Sequence, residues 1–220
     1  MYLIFSCNIH GVRKYIDCVL KDNFEKASDW YDFLEKLKYR GVKTVLYALI
    51  PNNEYLSKAL KLSFSNIEIF ISCFETINKL FKYYTASYSK SLFQKVKNLY
   101  LSKSVKDYEI ALENFTDEYM NYSFICDLLN DDLKRAKSYY NTDFELRKFI
   151  FSFYFYRELT KKINVISHSK DYYTSLDEFV EILIPDIKRI ESRMFCTKEQ
   201  LKVIINIIYN NKKDLIISYL

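Results

Sequence analysis

Two glycines and two prolines in 220 residues constrain this chain more than any other feature of its sequence. Glycine supplies the backbone conformations that tight turns need, and proline interrupts helices and strands. A chain with so few of either has few places to reverse sharply and few helix breakers, so long helices are predicted. Half of the residues are apolar and 18% are aromatic, far from the composition of a disordered chain. The length suffices for one or two compact units with a real core.

Strand patterns are confined to the residues before Ser72. Tyr2–Asn8 is rich in aliphatic and aromatic side chains, His10-Gly11 supplies a turn, and Lys14–Leu20 forms a second such run. Together they read as a β-hairpin. Phe24–Arg40 carries Ala27, Trp30, Tyr31, Leu34 and Leu37 at helical spacing, and Gly41 follows its basic end where a C′ glycine belongs. Val42–Ile50 is a nearly continuous apolar run, the pattern of a buried parallel strand inside a sheet. Pro51-Asn52-Asn53 ends it, a short helix follows to about Phe64, and Ile67–Ile71 reads as another strand. From Ser72 onward the periodicity is helical, with helices expected near 73–86, 88–101, 104–118, 120–139, 143–163, 175–192 and 197–210. The fold class is therefore α/β, then mostly α.

The formal net charge of +5 is compatible with nucleic acid without demanding it. Cys7, Cys18, Cys73, Cys126 and Cys196 are odd in number and show no C-x-x-C spacing. Without a secretory signal they read as reduced core thiols of a cytoplasmic protein. No run approaches the roughly 18 apolar residues of a membrane span, and neither a membrane nor a small-molecule substrate is expected as partner.

The titratable residues form no recognisable catalytic set. His10 and His168 lack both a nucleophile context and metal-ligand spacing. Asp131-Asp132 abuts Lys134, Arg135 and Lys137, which makes it a mixed-charge surface. The basic residues are more informative. From Lys79 to Lys106 there are seven lysines and no acidic residue, interleaved with Tyr83, Tyr84, Tyr88 and Tyr100. Lysines neutralise phosphates and tyrosines can stack on bases, so Lys90, Lys95 and Lys97 are candidate DNA contacts. A solvated lysine face with tyrosines in the core is the alternative. A second, sparser basic stretch holds Lys161, Lys162, His168 and Lys170.

The run Trp30-Tyr-Asp-Phe-Leu-Glu-Lys-Leu-Lys-Tyr-Arg-Gly-Val-Lys43 resembles a signature of the Mutator-type bacterial DDE transposases. Phe64 through Tyr83 resembles that family's passage from a strand into its C-x-x-H helix. Val96-Lys-Asn-Leu-Tyr100 is similar to its L-K-x-I-Y, and Ala111-Leu-Glu-Asn-Phe115 to its A-L-x-x-F. Glu145-Leu-Arg-Lys-Phe-Ile150 is similar to the E-I-R-K-x-I that opens its last catalytic helix. The order and spacing of these pieces carry the likeness over most of the chain.

The resemblance implies a partial RNase H-like core over residues 1–71, a helical insertion over 72–142, and C-terminal helices over 143–220. It also implies DNA as partner, a possible homodimer, and a two-Asp, one-Glu site for Mg²⁺ in intact relatives. The first Asp would lie on a strand upstream of Met1. The second would follow the Val42–Ile50 strand, where this sequence has Pro51-Asn52. The third would fall at Arg157, with Glu158 serving only if the register slips. The family's C-x-x-H appears as Ser72 and Glu75. The expected protein is therefore a transposase remnant without a catalytic triad, without a metal site and with no cofactor. A domesticated DNA-binding or dimerisation module is the alternative, and a false start at Met1 is disfavoured by Pro51. Lys161, Lys162 and Lys170 fall where the family is more strongly basic, which makes them DNA-contact candidates as well.

Overall fold

Asn8 builds the first reversal of the chain. Its side-chain oxygen accepts from the backbone N–H groups of His10 and Val12, each at 3.0 Å. Gly11 lies in the turn at φ +73°, a conformation that strains other residues. The computed structural model describes residues 2–8, 10–19, 24, 26–72, 74, 76, 86–119, 126–131, 137–151, 153–170, 173–192 and 197–217. In it β1 (Tyr2–Cys7) pairs antiparallel with β2 (Arg13–Val19), as the hairpin pattern predicts. The register steps from Ile4↔Asp17 to Phe5↔Tyr15, so Ile16 is the extra residue of a bulge.

Helix α1 (Ala27–Tyr39) ends as its sequence predicts. Gly41 sits at φ +103°. Its N–H donates to the Lys38 carbonyl at 2.9 Å and the Val42 N–H donates to the Leu37 carbonyl at 3.1 Å. This pair of bonds is a Schellman cap. Then β3 (Tyr47–Ile50), α2 (Glu54–Ser63) and β4 (Glu68–Ile71) form a β-α-β unit with the two strands parallel. Beyond β4 the described residues contain helices and no further strand. They include α3 (Ala86–Tyr100), α4 (Val105–Glu118), a 3-10 turn at Lys137–Asn141, α5 (Phe144–Ile150), α6 (Phe153–Ser167), α7 (Leu176–Ser192) and α8 (Lys198–Ile217). The described residues are mostly helical with two small sheets.

Three expectations need correction. The strand expected over 42–50 is shortened to Tyr47–Ile50, because a parallel strand extends only as far as its partner and β4 has four residues. Among the described residues β3 pairs with β4 alone, where the sequence pattern predicts a position inside a larger sheet. The single helix expected over 143–163 is two, α5 and α6. At Phe151 the backbone leaves the helix (φ −83°, ψ 73°). The Phe151 ring is buried beside Tyr139 at 5.1 Å and Phe70 at 6.3 Å, and that aromatic packing takes precedence over helix continuation. The helices expected over 73–86 and 120–139 fall mostly outside the described residues.

The chain divides into two compact units, Met1–Phe33 with Ser152–Leu220, and Leu34–Phe151. In the first, Leu159 and Ile166 of α6 and Phe179, Val180, Leu183, Ile187 and Ile190 of α7 form a buried cluster, against which Leu3, Phe5, Tyr15 and Cys18 of the hairpin pack. Burying each large aliphatic side chain stabilises by about 1.5–3 kcal/mol. Glu191 of α7 accepts the Tyr15 backbone N–H at 2.6 Å, giving that strand N–H a partner on the helix. In the second unit Phe70 of β4 is 1% exposed and stacks on Tyr47.

Candidate nucleic-acid interface and the carboxylate positions

At the end of β3 the chain makes a polar turn. Pro51 is half-buried and Asn52 exposed. Asn53 is the N-cap of α2, its side-chain oxygen accepting the Leu56 N–H at 3.0 Å. The proline side chain has no ligating atom and the Asn53 side-chain oxygen is committed to the helix, so this turn lacks the carboxylate oxygens that a divalent cation wants. Ser72 has a structural use as well: its hydroxyl accepts the Phe74 N–H at 3.1 Å. Glu75 lies outside the described residues.

On α6, Arg157 is exposed and Glu158 half-buried. Glu158 holds two cations, Arg157 Nε at 3.1 Å and Lys161 Nζ at 3.3 Å. Burial acts to raise its pKa, but the hydrogen bonds and charges of Lys161 and Arg157 outweigh it and hold the carboxyl below its ordinary value. Among the described residues no three His, Cys, Asp or Glu side chains come together as a metal could require.

The lysines that the sequence nominates for DNA are mostly occupied. Lys95 pairs with Glu118 and lies 5.3 Å over the Tyr119 ring. The Glu118 hydrogen bond raises its pKa. Lys161 pairs with Glu158, Lys162 with Asp186 at 3.4 Å and Lys170 with Glu178 at 2.7 Å. Lys97 is half-buried, with no ion pair among the described residues. Lys90 belongs to α3, but its side chain lies outside the described residues. Of the interleaved tyrosines, Tyr100 is 7% exposed and packs on Tyr108, so it is core. Tyr83, Tyr84 and the Tyr88 side chain fall outside the described residues.

The other singled-out residues are dispersed. His10 is exposed, and His168 Nδ1 lies 2.7 Å from the Asn164 carbonyl on an exposed turn. Asp131 is exposed, and Asp132 lies outside the described residues. The expectation of core thiols holds for Cys126, which is buried, and in part for Cys18, whose thiol burial pushes up to about 11. Cys7 is exposed, because its end of β1 extends past the cluster that covers Leu3 and Phe5. Cys73 and Cys196 lie outside the described residues. No helix among the described residues is long and apolar enough to cross a membrane.

Arg147 carries more structure than its sequence context suggests. It is 2% exposed and pairs with no carboxylate among the described residues. Its Nε donates to the Thr142 carbonyl at 3.2 Å, and its two terminal nitrogens donate to Ser102 and Lys103 carbonyls at 3.1 and 2.9 Å. The guanidinium lies 4.5 Å over the Tyr140 ring and 5.5 Å over that of Phe144. Burial lowers its pKa, yet a guanidinium stays charged in proteins. Its sequence neighbours, Glu145 and Lys148, give no signal of this burial, which only the tertiary contacts set.

These features define a mostly helical α/β protein with a β-hairpin on one unit, a β-α-β element in the other, and no carboxylate at the turn after β3. The chain belongs to the Mutator family of transposases, whose family model matches residues 1–176. No protein of curated function matches it. The matched region stops at the start of α7, yet α7 supplies most of the buried cluster of the first unit.

Proposed function

We propose that this chain is a transposase-derived protein that contacts DNA but does not cut or join it, built on part of an RNase H-like core. The observation that carries this reading is the turn after β3. There Pro51 occupies the place at which the family resemblance puts an Asp, and Asn53 is engaged as the cap of α2. The position of the third carboxylate supports it: Arg157 stands there, and the neighbouring Glu158 is neutralised by Arg157 and Lys161. Two-metal phosphoryl transfer needs convergent carboxylates, and these residues do not furnish them. The basic excess of the chain is what remains for a polyanion, as a non-specific and salt-dependent attraction.

Calorimetric titration with Mn²⁺ and a supercoiled-plasmid nicking assay test the catalytic half of the reading. The expected result is no stoichiometric micromolar site and no nicking above the background of a Glu158→Gln variant. Metal-dependent nicking that disappears in Glu158→Gln would overturn it. Anisotropy with a labelled duplex tests the DNA half, the expected binding weakening steeply with added salt.

A further inference from the structure

Other lysines of the second unit are free to meet phosphate. Lys36, Lys43, Lys58 and Lys61 are all exposed and hold no ion pair among the described residues. Exposed apolar groups accompany them: Tyr39 at 96%, Leu62 at 73% and Tyr55 at 50%. α2 buries Leu56, Ala59 and Leu60, which leaves Tyr55, Lys58 and Leu62 on one outward stripe by helical spacing. Lys61 flanks that stripe. Lys38 Nζ, paired with Glu35, lies 5.5 Å over the ring of Phe64, the residue that ends α2. That contact brings the last turn of α1, with Lys36 and Tyr39, beside the last turn of α2, with Lys61 and Leu62.

We propose that this face, formed by the end of α1 and the outer side of α2, is where the chain contacts DNA. Lys36, Lys43, Lys58 and Lys61 meet backbone phosphates, and Tyr39 stacks on an unpaired base. The inference rests on the DNA-contact reading above and assigns it a surface. Three observations support it. A lysine already held by a carboxylate gains less from a phosphate, since the ion pair must first open, and Lys95, Lys161, Lys162 and Lys170 are so held. Tyr39 is nearly fully solvated, so it contributes nothing to the core and presents its whole ring. Between Glu35 and Lys61 the sequence carries six cations (Lys36, Lys38, Arg40, Lys43, Lys58, Lys61) against Glu35 and Glu54, and Glu35 is engaged by Lys38. Lys36, Lys38 and Lys61 also complement the negative helix C-termini, a role that leaves Lys43, Lys58 and both tyrosines without a structural use.

The test is fluorescence anisotropy across a salt series, with a labelled duplex and a labelled single strand of the same length, on the full chain. In the variant Lys36→Gln/Lys43→Gln/Lys58→Gln/Lys61→Gln, the slope of log K against log salt should flatten by about 3.6 units, roughly 0.9 for each of four phosphate contacts on the duplex. Its thermal midpoint should match the parent, because exposed charges contribute little to stability. Tyr39→Ala should weaken single-strand binding at fixed salt by about 5- to 100-fold without changing the slope. The rival arm is Lys90→Gln/Lys95→Gln/Lys97→Gln on α3, which should leave the slope unchanged. A parent-like slope in the quadruple variant, or flattening only in the α3 variant, overturns this surface while leaving DNA contact intact. A parent that binds neither oligonucleotide at low salt overturns the DNA reading and this surface together.

Discussion

Replacing Arg147 with Met should remove one of the main ties of the second unit. Methionine keeps much of the apolar stem and its packing while deleting every donor. Thr142 is 8% exposed, so its carbonyl would be left buried and unpaired, at a cost of about 1–3 kcal/mol. The Ser102 and Lys103 carbonyls lie in a half-buried to exposed turn, where water can replace the guanidinium. Their loss costs about 0.5 kcal/mol each, the low end of a net hydrogen bond. The cation over Tyr140 at 4.5 Å adds about 1 kcal/mol. Together these come to about 3–5 kcal/mol, which for a chain of this size lowers the thermal midpoint by roughly 6–20 °C. Urea unfolding followed by far-ultraviolet circular dichroism measures it. Lys should rescue only part, because one ammonium cannot reach three divergent carbonyls. Lys148→Met is the control: that side chain is exposed, pairs with Glu145 and lies 5.1 Å over the Phe144 ring, so it should cost under about 0.5 kcal/mol. A loss below about 1 kcal/mol for Arg147→Met would show that the clasp is dispensable.

Leu183 of α7 is fully buried in the first unit, so Leu183→Ala should destabilise by about 2–5 kcal/mol. Equality with the parent in fluorescence of the single tryptophan, Trp30, during urea unfolding would contradict the placement of α7 in that core. At the start of α7, Glu178 accepts from the Thr174 N–H and hydroxyl and from Lys170, which together hold its pKa at about 2. A carboxyl lowered from its ordinary value near 4.5 stabilises the fold above that pH and loses the contribution as pH falls towards 2. Glu178→Gln should therefore remove part of the acid limb of the stability profile between about pH 4.5 and 2, and an acid limb identical to the parent's would refute the assignment.

The local features of this protein were legible in the sequence because they depend on neighbours along the chain. The hairpin follows from two apolar runs around Asn8 and Gly11, the end of α1 from Gly41, and the helical remainder from periodicity and the scarcity of breakers. Family membership was legible from short runs in order, of which Trp30 to Lys43 is the longest. Tertiary structure decided what periodicity cannot encode. It stopped β3 at four residues because its partner is that short, and it broke the 143–163 segment where Phe151 found an aromatic pocket. It also determined which lysines are spent. Lys162 meets Asp186 and Lys170 meets Glu178 because α7 packs on α6, and Lys95 meets Glu118 because α4 lies beside α3. Composition counts charges, whereas a contact to phosphate depends on which charges the fold leaves without a partner.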